Sequence, residues 1–73
     1  MIKVKLFATL REGRQKEVVF DYFDGITGKY IIDMLDIKED DVAIYLINGI
    51  DGKINDKLKD GDVVSIFPPV GGG

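Results

Sequence analysis

The sequence predicts an α+β fold in which a single helix packs across one mixed sheet. Three observations predict it: apolar residues alternate with period two at both ends of the chain, one short stretch between them has helical spacing, and turn residues separate the apolar runs. The chain has 73 residues, enough for one small domain. At that size folding buries roughly 60% of the surface of the unfolded chain, which makes a thin but self-sufficient core.

In residues 2–8, Ile2, Val4, Leu6 and Ala8 share one face while Lys3, Lys5 and Phe7 share the other, so this segment is predicted as a half-buried strand. Residues 10–16 are polar, contain Gly13 and read as a turn. Residues 17–22 form a second strand, with Val18, Phe20 and Tyr22 alternating against Val19 and Asp21. The pair reads as a hairpin with a loop longer than two residues. A helix is predicted over residues 29–36, N-capped by Thr27 or Asp24, with Ile26, Tyr30, Ile31, Met34 and Leu35 near helical spacing. It is too short to stand alone in water and must lie on the sheet.

Residues 38–41 are a charged, solvated connector. Residues 42–47 are almost wholly apolar, as suits a third strand flanked on both edges and covered on one face. Asn48-Gly49 and Asp51-Gly52 signal turns, followed by a short extended piece around Lys53 and Ile54. Leu58 is expected to plug the core from a loop, and Asp60-Gly61-Asp62 is a further turn. Residues 63–67 are the last strand. A hairpin, a helix and a return to the same sheet make the β-grasp arrangement, with the first and last strands side by side at its centre. Residues 1–67 are therefore the domain and residues 68–73 an extended tail.

The chain holds neither cysteine nor histidine. Disulfides and thiolate metal sites are excluded, and so are the commonest general base and metal ligand. No metal site is expected. The net charge of −3 disfavours sequence-independent nucleic-acid binding. No apolar run approaches the ~20 residues of a membrane span, and the opening residues alternate instead of building a signal-peptide h-region. A cytoplasmic protein without membrane or nucleic-acid partners is the expectation.

The tail reads Pro68-Pro69-Val70-Gly71-Gly72-Gly73. A frayed end is the plain reading of such a segment. Three features weigh against it. The prolines fix φ and hold the chain extended where it leaves the last strand. Six extended residues reach ~20 Å, far enough to enter a deep site on another protein. Gly71 to Gly73 have no side chains and would thread a narrow channel. A terminal carboxylate is ionised at neutral pH and reacts only once activated, for example as an acyl-adenylate. The chain has no phosphate loop of its own: Tyr30 follows Gly28-Lys29 where Ser or Thr is needed. A separate activating enzyme is implied, and any sulfur carried must sit on the Gly73 carboxylate.

The opening segment, from Met1-Ile2-Lys3-Val4-Lys5-Leu6-Phe7-Ala8 through Thr9-Leu10-Arg11-Glu12, resembles the MoaD family, the small sulfur-carrier subunit of molybdopterin synthase. The closing segment, with Asp60-Gly61-Asp62, a strand, Pro68-Pro69-Val70 and terminal glycines, resembles it more strongly. The resemblance implies a ubiquitin-like fold and no bound cofactor. It implies that Gly73 is adenylated by an enzyme of the ubiquitin-activating type, so that AMP and then sulfur sit there transiently. It also implies that Gly71 and Gly72 thread the active site of the large synthase subunit, in a heterotetramer. There sulfur would pass to cyclic pyranopterin monophosphate on the way to a molybdenum or tungsten cofactor. The chain departs from the family pattern at Gly71 and in the short stretch between Phe20 and Ala43. The related ThiS carrier of thiamine thiazole synthesis shares fold and tail chemistry, as does a ubiquitin-like modifier of lysines. A binding module with an inert tail is the fourth reading.

Phe7 falls opposite the core face of the first strand, and Phe67 ends the strand beside it. With Arg11 in the adjoining turn and Pro68, Pro69 and Val70 beyond, they are predicted to form a partner-docking patch at the root of the tail. Gly25-Ile26-Thr27-Gly28 matches the loop of one RNA-binding module, but a strand precedes it in an acidic chain, so it reads as helix entry. Lys3, Lys5 and Lys29 read as solvated face residues.

Overall fold

A computed structural model describes residues 1–69. Five strands form one sheet: β1 (Ile2–Leu6), β2 (Glu17–Phe20), β3 (Ile44–Ile47), β4 (Ile50–Asp51) and β5 (Val63–Phe67), in the order β2-β1-β5-β3-β4. β1 and β5 run parallel at the centre, and every other pairing is antiparallel. One helix, α1 (Gly28–Met34), covers one face. This is the β-grasp arrangement the sequence predicts.

Alternation in the central strands decides which residues fill the core. Ile2, Val4 and Leu6 of β1 and Val64 and Ile66 of β5 are fully buried toward α1, where they meet Ile26, Ile31 and Ile32. Burying one such side chain contributes roughly 1.5–3 kcal/mol. Leu58 is also buried and fills the core from a loop, as expected. Lys3 and Lys5 point the other way and are exposed.

Several boundaries differ from the expectation, each for a local reason. β1 stops at Leu6, and residues Ala8–Arg11 form a 3-10 turn. Ala8 has φ of 53°, which no strand accepts, and the turn drives Leu10 into the core. The polar loop expected at 10–16 therefore has a buried anchor at its start. β2 ends at Phe20.

α1 begins where Thr27 caps it: the Thr27 Oγ1 accepts the Tyr30 N–H at 3.2 Å. It ends two residues earlier than expected because Asp36 is left-handed, with φ of 58°. The Ile37 N–H donates to the Ile32 carbonyl at 2.8 Å and the Asp36 N–H to the Asp33 carbonyl at 3.1 Å. That pair of bonds, with Ile37 buried behind it, is a Schellman C-cap built on an aspartate. The buried face of α1 is Ile31 and Ile32; Tyr30 and Met34, expected on it, are exposed.

The charged connector forms a 3-10 turn over Glu39–Asp41, exposed throughout. The third strand is shorter than expected and starts at Ile44. Asn48 and Gly49 both have positive φ, 54° and 81°, which is the type I′ hairpin geometry. The hairpin places β4 at Ile50–Asp51, so the short extended piece lies between the two turn signals and not at Lys53 and Ile54.

Candidate functional site

β5 carries the chain out of the sheet. It is the central strand, paired on one side with β1 and on the other with β3, so it is held at both edges to its last residue. The Phe7 N–H donates to the Ile66 carbonyl at 3.2 Å, and the Ala43 N–H donates to the Phe67 carbonyl at 2.8 Å. Pro68 and Pro69 have no N–H and cannot extend the ladder. The tail thus leaves from a fixed point at the middle of the sheet.

Among the described residues, none covers the face of the sheet turned away from α1. Phe7 and Phe67, which the sequence places there together, lie half-buried with ring centroids 4.2 Å apart and planes 10° from parallel. Such a pair contributes about 0.5–1.5 kcal/mol beyond its buried area and presents one flat apolar surface. Arg11 joins it. Its guanidinium carbon lies 5.4 Å from the centre of the Phe7 ring, and its Nε donates to the Leu6 carbonyl at 2.8 Å. The arginine is thereby fixed beside the ring while remaining exposed. Pro68 is half-buried and Pro69 exposed at the end of the same strand. The predicted Val70, Gly71, Gly72 and Gly73 lie outside the described residues.

Sequence reasoning missed part of this surface. Ile44, paired with Phe67 across the β3–β5 ladder, is 47% exposed, and Leu46, opposite Ser65, is half-buried on the same face. The signal was the apolar run of residues 42–47. Within β3, Tyr45 is buried and Ile47 packs against the core, so Ile44 and Leu46, which alternate with them, had to face outward. Val19, opposite Lys3 on β2, extends the patch and is also exposed.

The rim of the patch is basic. A shallow cavity of about 250 Å³ beside Phe7 is lined by Lys5, Arg11, Lys16 and Glu17. Three basic residues and one acidic residue line it, so an overall acidic chain has a cationic margin at this site. Lys29, read as a solvated face residue, is half-buried and ion-pairs with Asp33 at 2.8 Å, and that hydrogen bond raises its pKa. Among the described residues no cluster of acidic side chains is arranged to hold a metal ion, and no helix is long and apolar enough to cross a membrane.

Structures similar to this one bear on the surface and the tail. A provisionally assigned molybdopterin converting factor subunit 1 from Pyrococcus furiosus aligns with TM-score 0.73 and 31% identity, over 94% of this chain and 97% of that one. Small archaeal modifier protein 1 from Haloferax volcanii aligns with TM-score 0.74 and 27% identity, over 94% and 97%. A chain of the complex between subunits 1 and 2 of the molybdopterin-converting factor of Helicobacter pylori aligns with TM-score 0.65 and 27% identity, over 99% and 97%. No curated protein matches the chain. The ThiS family matches residues 4–73, nearly the whole length, and the chain belongs to that family.

Proposed function

We propose that this chain is the sulfur-carrier subunit of a molybdopterin synthase. Its Gly73 carboxylate attacks the α-phosphate of ATP on a ubiquitin-activating-type enzyme, releasing pyrophosphate and leaving an acyl-adenylate. A sulfur donor then displaces AMP and leaves a thiocarboxylate. The loaded end, with Gly71 and Gly72, enters the large synthase subunit and passes its sulfur to cyclic pyranopterin monophosphate. The carboxylate is regenerated for another round.

The observation that carries this reading is the stacked Phe7–Phe67 pair, on an uncovered sheet face at the point where residues 68–73 leave the central strand. A carrier needs a dockable surface beside its working end, and this chain has one in a family of carriers. The similarity to one chain of the Helicobacter pylori subunit complex supports a large-subunit partner. The basic rim of Lys5, Arg11 and Lys16 fits a partner surface that is apolar at its centre and acidic around it.

Intact-mass spectrometry tests the chemistry. Incubated with ATP, the activating enzyme and a sulfur donor, the chain should gain the mass difference between sulfur and oxygen, and a variant lacking Gly73 should gain nothing while folding normally. A chain that stays unmodified refutes the carrier reading. The similarity to the small archaeal modifier favours a second reading, in which the same activated end forms isopeptide bonds with lysines. Its mark would be Gly73 joined to lysine side chains of other proteins. Delivery to thiazole synthesis would appear as co-purification with a thiazole synthase in place of the molybdopterin synthase large subunit.

A further inference from the structure

We infer that Arg14 is a positioning residue, which shapes the docking surface without belonging to it by tying the Phe7–Arg11 turn to the end of the helix. The inference rests on the reading of Phe7 and Arg11 as partner contacts.

The guanidinium of Arg14 reaches three carbonyls in two separate parts of the chain. Its Nε donates to the Leu35 carbonyl at 3.1 Å, its Nη2 to the Asp36 carbonyl at 3.2 Å, and its Nη1 to the Leu10 carbonyl at 3.3 Å. Leu35 is the C-cap of α1 and Asp36 the left-handed residue after it. Carbonyls at that place have no partner within the helix, and a cation there also meets the negative end of its dipole. Leu10 belongs to the 3-10 turn that follows Phe7 and contains Arg11. One side chain therefore satisfies the end of the helix and anchors the turn bearing the docking residues.

The other bonds that hold the turn are local, so Arg14 is its side-chain tie to the helix end. Those bonds are the Leu10 N–H to the Phe7 carbonyl at 3.1 Å, the Glu12 N–H to the Thr9 carbonyl at 3.1 Å, the Arg14 N–H to the Arg11 carbonyl at 3.0 Å and the Arg11 Nε to the Leu6 carbonyl at 2.8 Å, and Leu10 is its sole buried residue. Ala8 within it is left-handed, a conformation that favours glycine. Released from Arg14, the turn would sample other shapes, and the Arg11 bond to the Leu6 carbonyl would hold Arg11 over Phe7 for a smaller share of the time. Lysine would not replace Arg14: an ammonium is a point donor, whereas the planar guanidinium spans carbonyls on both elements at once.

The test uses the full chain and subunit 2 of the molybdopterin-converting factor from the same genome. In Arg14→Ala, amide exchange at Leu10, Glu12 and Arg14 should quicken roughly tenfold or more while amides of β1 and β5 keep their protection. Affinity for subunit 2 should fall roughly tenfold, as for loss of a charge-assisted bond. Arg14→Lys should recover only part of each effect, and serves as the folded comparison if the alanine variant unfolds. The deciding measurement is a double-mutant cycle. If Arg14 works through Arg11, the Arg14→Ala change should cost almost nothing once Arg11→Ala is present. Additive losses, or unchanged exchange in the turn, overturn the inference. A wild-type chain with no affinity for subunit 2 refutes the synthase reading instead, and exchange in the turn then decides alone whether Arg14 holds it.

Discussion

The ring and hydroxyl of Tyr45, on β3, fill the space that a side chain at Gly28, the first residue of α1, would need. The helix sits this close to the sheet because residue 28 has no Cβ. Replacing a helical glycine with alanine ordinarily stabilises by up to about 1 kcal/mol. Here the added methyl overlaps a buried ring, and overpacking of that kind costs about 1–3 kcal/mol. Gly28→Ala should therefore lower stability by about 1–2 kcal/mol, read as a drop in Tm of several degrees by thermal unfolding.

The Tyr45 hydroxyl is buried and has no hydrogen-bond partner among the described residues. A buried polar group left unpaired costs about 1–3 kcal/mol, so Tyr45→Phe should be as stable as the wild type or more so. Burial, and after it the Asp56 and Asp62 carboxylates, push the Tyr45 pKa up to about 12 from 10.0. The folded state thus holds the phenolic proton more tightly than the unfolded state. This contribution is whole below pH 10 and drains away as pH rises toward 12. Stability measured across that window should fall more steeply for the wild type than for Tyr45→Phe; parallel curves would contradict the assignment.

Asp36 closes the C-cap of α1 in the left-handed region, where glycine is at ease and other residues are strained. Its carbonyl, which meets Arg14, survives any substitution. Asp36→Gly should raise stability by up to about 1 kcal/mol, measured by urea unfolding with an unchanged m-value.

Phe7 is half-buried and leans on Phe67, not on the core beneath α1. Phe7→Ser should cost about 0.5–1.5 kcal/mol of stability for the lost ring pair, and much more of the affinity for a large-subunit partner. Calorimetry on the isolated chain and titration of the complex separate the two. A loss of several kcal/mol from the free chain would mean that Phe7 belongs to the core.

The architecture was legible because its determinants are local. Ile2, Val4 and Leu6 alternate with lysines, Thr27 caps the helix by its own hydroxyl, and residues 63–67 match β5 to the residue. The errors fall where backbone conformation overrides pattern. Ala8 and Asp36 take positive φ without being glycine, so neither the early end of β1 nor that of α1 carried the usual marker. Tyr30 and Met34 have helical spacing but stay exposed, Tyr30 meeting the rings of Phe20 and Phe23 edge-on, and which helical face is buried depends on how the helix crosses the sheet. At the site, the meeting of Phe7 and Phe67 followed from strand parity and the central pairing of β1 with β5. Ile44 and Leu46 did not, because a continuous apolar run hides which residues face outward. Arg14 was invisible, since its partners are backbone carbonyls, two of them more than twenty positions away, that have no sequence signature.

The strand made last is the one that the others flank. Until β5 emerges from the ribosome, β1 and β3 have nothing between them, and the pairing that closes the fold spans nearly the whole polypeptide. A copy cut short before Val63 would be left with two unpaired edges, to be degraded or aggregated. Molecules cut before β5 therefore cannot accumulate in folded form, whereas those cut after Phe67 keep every strand of the sheet.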